Sequence, residues 1–238
     1  VLKDVNNREH GRYMNGIFDT AGVPGKGLYC TIDAQLQEYG EQLMKGKRGS
    51  IVAIDPSTGE ILCMVSSPGY NPNLLVGRER GKNYGVLQQD TASVPLFNRA
   101  LMASYPPGSI FKLMDALIAQ QEGVLTPATV YPCAGGYPPM GGKPKCHPHA
   151  PCDLYGSIAA SCNSYYSYVF RSIVDKKGFK SFEDGYQNWR NHILSFGVGR
   201  HLNTDLPHEL QGNVPTIQYY DKVFGKDHWR SNTVVSLG

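Results

Sequence analysis

The sequence predicts a mixed α/β or α+β domain. Three observations carry that reading: two β-rich runs joined by turn formers near residues 51–65, several later stretches of helical period, and no internal repeat. One hairpin among many helices leaves a sheet still short of strands. At 238 residues the chain has material for one large domain or two small ones, with a real core. Its net charge of +3 is too small and too scattered to argue for nucleic acid or an anionic membrane surface. No apolar run reaches the roughly eighteen residues that span a bilayer, and no signal peptide opens the chain. The sequence starts at Val1 and stops inside an apolar run at Leu237-Gly238, which fits a segment of a longer protein.

Residues 1–28 carry Asn, Gly, Asp and Pro without period and read as a connector. The domain proper is expected from residue 29 to 238. In "LYCTIDAQLQEYGEQLMKGKRG", Thr31 and Asp33 can cap a helix with Leu36, Tyr39, Leu43 and Met44 as its apolar positions. Ile51–Ile54 and Ile61–Val65 are the hairpin strands, turning at Asp55 to Gly59. Residues 66–108, rich in Gly, Pro and Asn, read as a long surface excursion. Ser109 to Glu122 is helical, with Gly123 as its stop. Its apolar residues Ile110, Phe111, Leu113, Met114, Leu117 and Ile118 surround most of the axis, which predicts a central, buried helix. A Pro/Gly/Cys/His loop follows over 127–152. Helices are then expected near 153–176 and 181–196, followed by loop and a last apolar run at 233–237.

Within "YPPGSIFK", Ser109 and Lys112 lie three residues apart, so both side chains share one helix face. The Pro-Pro-Gly entry leaves Ser109 in the first turn, where free N–H groups could hold an oxyanion. Desolvation on an apolar helix would lower the pKa of Lys112 and let it act as a base. A cap beside a snorkelling lysine gives the same pattern. A second signal favours chemistry: "IAASCNSYYSY" places Ser161 and Asn163 at a helical break, completing the order S-x-x-K then S-x-N of serine acyl-transferring enzymes.

With these motifs, "TIDAQLQ", "GSIVAIDPSTGEILCMVSSPGYNPN", "FNRAL", "SCNSYY" and "FGVGRHLNTDLPHEL" resemble, in order, the transpeptidase domain of class B, elongation-type penicillin-binding proteins. The resemblance covers nearly all of the chain from Gly27. It implies a β-lactamase/transpeptidase-like fold with the S-x-x-K helix at its centre, and a remnant of a dimerisation module over 1–28. It further implies that Ser109 attacks the penultimate D-Ala carbonyl of a peptidoglycan stem peptide, Lys112 takes the serine proton, Ser161 relays a proton to the departing amine and Asn163 holds Lys112 and the substrate. β-Lactams would trap Ser109. The resemblance also implies a periplasmic domain anchored in the inner membrane, with cell-elongation proteins as partners and no catalytic cofactor. One departure stands out: no K-T-G occurs in the sequence. The family's K-T-G strand is expected beyond Gly238, and residues 1–238 alone are expected to acylate weakly. A serine β-lactamase or D,D-carboxypeptidase, or a non-catalytic β-lactam sensor or scaffold, are the competing readings.

Six cysteines remain to be placed. Cys30, Cys63 and Cys162 stand singly in apolar patterns, as buried free thiols do. In the loop, the spacing C-x12-C-H-x-H-x2-C supplies Cys133, Cys146, His147, His149 and Cys152, enough soft ligands for a structural zinc; the family resemblance implies a set of Cys133, Cys146, His149 and Cys152, with His147 as an alternative. A Cys133–Cys146 disulfide, in an oxidising compartment, and free residues are the competing readings.

Overall fold

The structure, a computed structural model, describes residues 2–19, 25–226, 228–230 and 233. At the N-terminus, strands β1 (Leu2–Lys3) and β2 (Glu9–Gly11) pair into a small exposed ribbon. Among the described residues of the connector expected there, a short 3₁₀ segment follows at Tyr13–Gly16. Helix α1 (Ala34–Met44) starts at Asp33, whose carboxylate accepts the N–H groups of Gln35 and Leu36, both at 2.9 Å. Thr31 does not cap: its hydroxyl donates to the Ile61 carbonyl at 2.7 Å and ties the helix entry to the hairpin.

Strands β3 (Gly49–Ile54) and β4 (Ile61–Ser67) form that hairpin, antiparallel, with one irregularity at Ala53/Ile54. Cys63 and Val65 of β4 are buried against α1. The two ribbons are the sheets of the described residues, so the shortage of strands expected from the sequence is real there.

Residues 66–108 hold more order than the sequence suggests. Helices α2 (Arg80–Gln89) and α3 (Arg99–Met102) both fall inside the expected excursion. Helix α2 buries no residue, so no apolar stripe announces it. Arg99 is buried, and its guanidinium donates to the Ser93 carbonyl at 2.8 Å, organising the loop ahead of the "YPPG" turn.

The main core lies in the C-terminal half. A 3₁₀ turn over Gly108–Phe111 runs into α4 (Lys112–Gln121), followed by Glu122 and a left-handed Gly123. Helices α5 (Leu154–Ala159), α6 (Asn163–Val174) and α7 (Phe182–Ser195) surround it. Ile118 and Ala119 of α4 pack in one cluster with Tyr165, Tyr166, Val169 and Phe170 of α6 and with Trp189 and Ile193 of α7. Gly185 permits the closest approach: a Cβ there would sit 1.9 Å from the Val174 carbonyl oxygen at the end of α6. Helix α8 (Ile217–Phe224), capped by Thr216, adds Tyr220 beneath Trp229.

Helix α4 is central but not buried all round. Ile110, Leu113 and Leu117 form a stripe at helical spacing that is half or more exposed, because α5, α6 and α7 cover only the other faces. Beyond Thr233, the run expected at 233–237 lies outside the described residues.

Candidate active site

The Pro-Pro-Gly entry explains why Ser109 stands clear. Pro106 and Pro107 restrict the backbone, and Gly108 takes φ +65°, a conformation glycine adopts readily. The chain therefore enters the 3₁₀ turn abruptly, and Ser109 is solvent-exposed at the head of α4. N–H groups in this first turn have no helical acceptor.

One turn on, Lys112 is almost wholly buried. Its Nζ lies 3.3 Å from Ser109 Oγ, 2.8 Å from the Ser161 carbonyl, 3.2 Å from Ser161 Oγ and 2.6 Å from Asn163 Oδ1. Burial holds the lysine below its usual pKa, opposed by the neighbouring Cys146 and Cys162 thiols. A neutral amine has two hydrogens and one lone pair. The two shortest contacts go to oxygens that can only accept, so they take the two hydrogens. The lone pair is left for a hydroxyl, and Ser109 and Ser161 are both in reach. This is the geometry of a base set beside a nucleophile.

The second segment is shaped to meet Lys112. Helices α5 and α6 break at Ser161, which takes φ +48° and so turns its carbonyl and side chain toward the lysine. Asn163 begins α6 and spans two elements: its Oδ1 accepts from Lys112, and its Nδ2 donates to the Lys145 carbonyl at 2.8 Å. The four residues singled out from the sequence are thus brought together.

A cleft of about 920 Å³ opens beside them. Ser109, Lys112 and Asn163 lie on its wall, Phe111 and Trp189 on its apolar side, and residues 210–215 along its far edge. Sequence reasoning found the polar wall but passed over Trp189 and the 210–215 segment, which lie some 80 to 100 positions further along the chain.

The thiol cluster differs from the expected one. Cys133, Cys146, His149 and Cys162 bring their ligand atoms within 4.8 Å of one another. Cys152 is not in this group; its carbonyl instead accepts the Tyr131 N–H. His147 points to solvent. Cys162 replaces Cys152 because the α5–α6 break carries it into the loop, a tertiary effect that spacing within the loop cannot show. His149 Nδ1 lies 2.7 Å from the Ala150 carbonyl and must donate to it, which leaves Nε2 facing the cluster, 3.7 Å from Cys146 Sγ: protonated it donates to the thiol, and neutral it offers its lone pair to a metal. Burial pushes the Cys146 thiol up, but hydrogen bonds from the Asn163 N–H, His149 and the other thiols prevail and bring it to about 7. Burial raises Cys162 and Cys152. All six cysteines are free thiols, and Cys30, expected inside, is exposed.

The fold matches one known class. Residues 49–228 match the penicillin-binding protein transpeptidase domain, and the chain belongs to that family. It is similar to the peptidoglycan D,D-transpeptidase MrdA of Acinetobacter baumannii, 34% identical over 90% of this chain and 30% of the relative. Its fold is that of penicillin-binding protein 2 (PBP2). The Pseudomonas aeruginosa PBP2 in complex with WCK 5153 superposes with TM-score 0.74 at 31% identity, covering 91% of this chain and 48% of that one. The Helicobacter pylori PBP2 in complex with MreC gives 0.71 at 27% identity, over 87% and 38%. The chain spans about a third of the length of the MrdA relatives it matches.

Proposed function

We propose that this chain carries the nucleophile and base of a peptidoglycan D,D-transpeptidase. The single observation behind this reading is Lys112 Nζ held between Ser109, Ser161 and Asn163. Neutral Lys112 accepts the Ser109 proton as Oγ attacks the carbonyl of the penultimate D-Ala. Negative charge forming on that carbonyl oxygen is met by the free N–H groups of the first turn. Collapse breaks the peptide bond, and the departing D-Ala amine receives a proton through the Ser161 hydroxyl. Asn163 keeps the lysine aimed throughout. An amine from a second stem peptide then attacks the acyl-enzyme, and Ser109 leaves with the proton returned.

A β-lactam carbonyl presents the same electrophile to Ser109, so stable acylation by penicillins belongs to the same reading. A periplasmic, membrane-anchored setting among cell-elongation proteins is proposed from the same kinship. The described residues contain no helix long and apolar enough to cross a membrane. In the full-length protein, a labelled penicillin is expected to add once, at Ser109. Labelling that persists in Ser109→Ala defeats the assignment.

The Cys133, Cys146, His149 and Cys162 set fits a structural zinc. Tetrahedral Zn–S bonds of about 2.3 Å place ligand atoms roughly 3.8 Å apart, close to the spacing already present. A bound ion would fix the S-x-N segment, since Cys162 lies between Ser161 and Asn163.

A further inference from the structure

Asp115 is the one carboxylate-bearing residue in the core of the described chain, and nothing in the acyl-transfer scheme uses it. It lies on α4 one turn beyond Lys112 and is fully buried. Its Oδ1 accepts the indole N–H of Trp189 at 2.7 Å, and its Oδ2 has no partner among the described residues. Burial holds this carboxyl well above the usual range, against the pull of the indole hydrogen bond. Among the described residues, the other buried side-chain polar atom without a partner is the hydroxyl of Tyr166, whose ring lies 5.7 Å from Lys112 Nζ.

Trp189 is the link to the site. It sits on α7, lines the cleft, and meets Phe111 edge-on with ring centres 6.0 Å apart. Phe170 and Tyr186 hold its other sides at 5.3 and 5.4 Å. Phe111 belongs to the 3₁₀ turn that carries Ser109. One indole thus grips the nucleophile helix on both sides of Lys112: through Phe111 one residue before it, and through Asp115 three residues after it.

We propose that Asp115 is a positioning residue for acylation: its hydrogen bond orients Trp189 against Phe111 and so fixes the turn that aims Ser109 at Lys112. A leucine at this position would fill the space yet leave the indole free to rotate, and a shift of about 1 Å in a reacting group can slow a reaction about a hundredfold. The inference rests on the assignment of Ser109 as nucleophile.

The experiment uses the full-length protein and a fluorescent penicillin, with the acylation rate constant separated from initial binding by the concentration dependence. Active-site stoichiometry is titrated in parallel. Asp115→Leu and Trp189→Phe, the second of which keeps the ring packing if the first fails to fold, are each expected to lower the acylation rate constant about 10- to 100-fold. Initial binding should hold, and the double variant should lose no more than the worse single one. Asp115→Asn keeps the acceptor oxygen and should stay within about threefold of the parent. Variants that lose labelled fraction but acylate at the parental rate constant would show a role in folding alone and overturn the proposal. So would an Asn variant as slow as the Leu variant. Labelling that survives Ser109→Ala instead strikes the nucleophile assignment, and is read separately.

Discussion

Replacing Cys162 by serine in the full-length protein separates the thiol cluster from the fold. Cys162 caps α6, its sulfur accepting the Tyr165 N–H at 3.2 Å, and serine is a better cap than cysteine. The helix should therefore survive while one of four ligands is lost. Disturbing only an outer partner of a metal ligand typically lowers affinity 10- to 100-fold, and removing a ligand outright should exceed that. The catalytic consequence follows from position. Cys162 sits between the two residues that hold Lys112, whose Nζ lies 2.8 and 3.2 Å from Ser161 and 2.6 Å from Asn163. If a bound ion anchors that segment, its loss should misplace the lysine by a fraction of an ångström to about 1 Å, slowing acylation about 10- to 100-fold. Elemental analysis of dialysed protein should find about one zinc per chain in the parent and little in Cys162→Ser, and labelled penicillin gives the acylation rate. Zinc retained at parental stoichiometry would refute the ligand set. Zinc lost with an unchanged acylation rate would refute the coupling.

Lys112→Ala should slow acylation by about two to four decades, as loss of a general base does, and parental acylation by this variant would remove Lys112 from the mechanism. With neutral Lys112 as the proposed base, the parental rate should rise with pH through the lysine's depressed pKa, whereas Lys112→Arg, protonated at every pH tested, should be slow and lack that limb. Stopped-flow acylation across pH decides between them. Glu122 is held from its ordinary 4.5 down to about 2, chiefly by Lys176 and then by Asn188, against some burial, with His192 also bonded to it. Its contribution to stability is thus present above about pH 4.5 and lost as pH falls toward 2. Glu122→Gln should flatten that part of the acid-stability curve measured by thermal melts, and an unchanged slope would show that the cluster contributes nothing.

What the sequence made legible divides along a physical line. Asp33, the β3–β4 hairpin and the Ser109–Lys112 turn are local: a cap, an apolar alternation and an i,i+3 spacing each lie within one element. Helix α2 escaped because it buries nothing, so its residues carry no apolar stripe to read. Helix α8 does carry a signal, Ile217, Tyr220 and Phe224 at helical spacing behind Thr216, in a stretch whose composition reads as loop. Helix α4 shows the limit of periodicity. Apolar residues all round an axis state what each face would prefer, not which neighbours are there to cover it, and Ile110, Leu113 and Leu117 stand exposed. The cysteine set fails for the deeper reason. Spacing inside the 133–152 loop favours Cys152, yet the fourth thiol comes from Cys162, which only the strained turn at Ser161 brings into range. That same turn delivers Ser161 and Asn163 to Lys112. One backbone conformation, invisible in any local pattern, therefore completes both the candidate catalytic group and the candidate metal site.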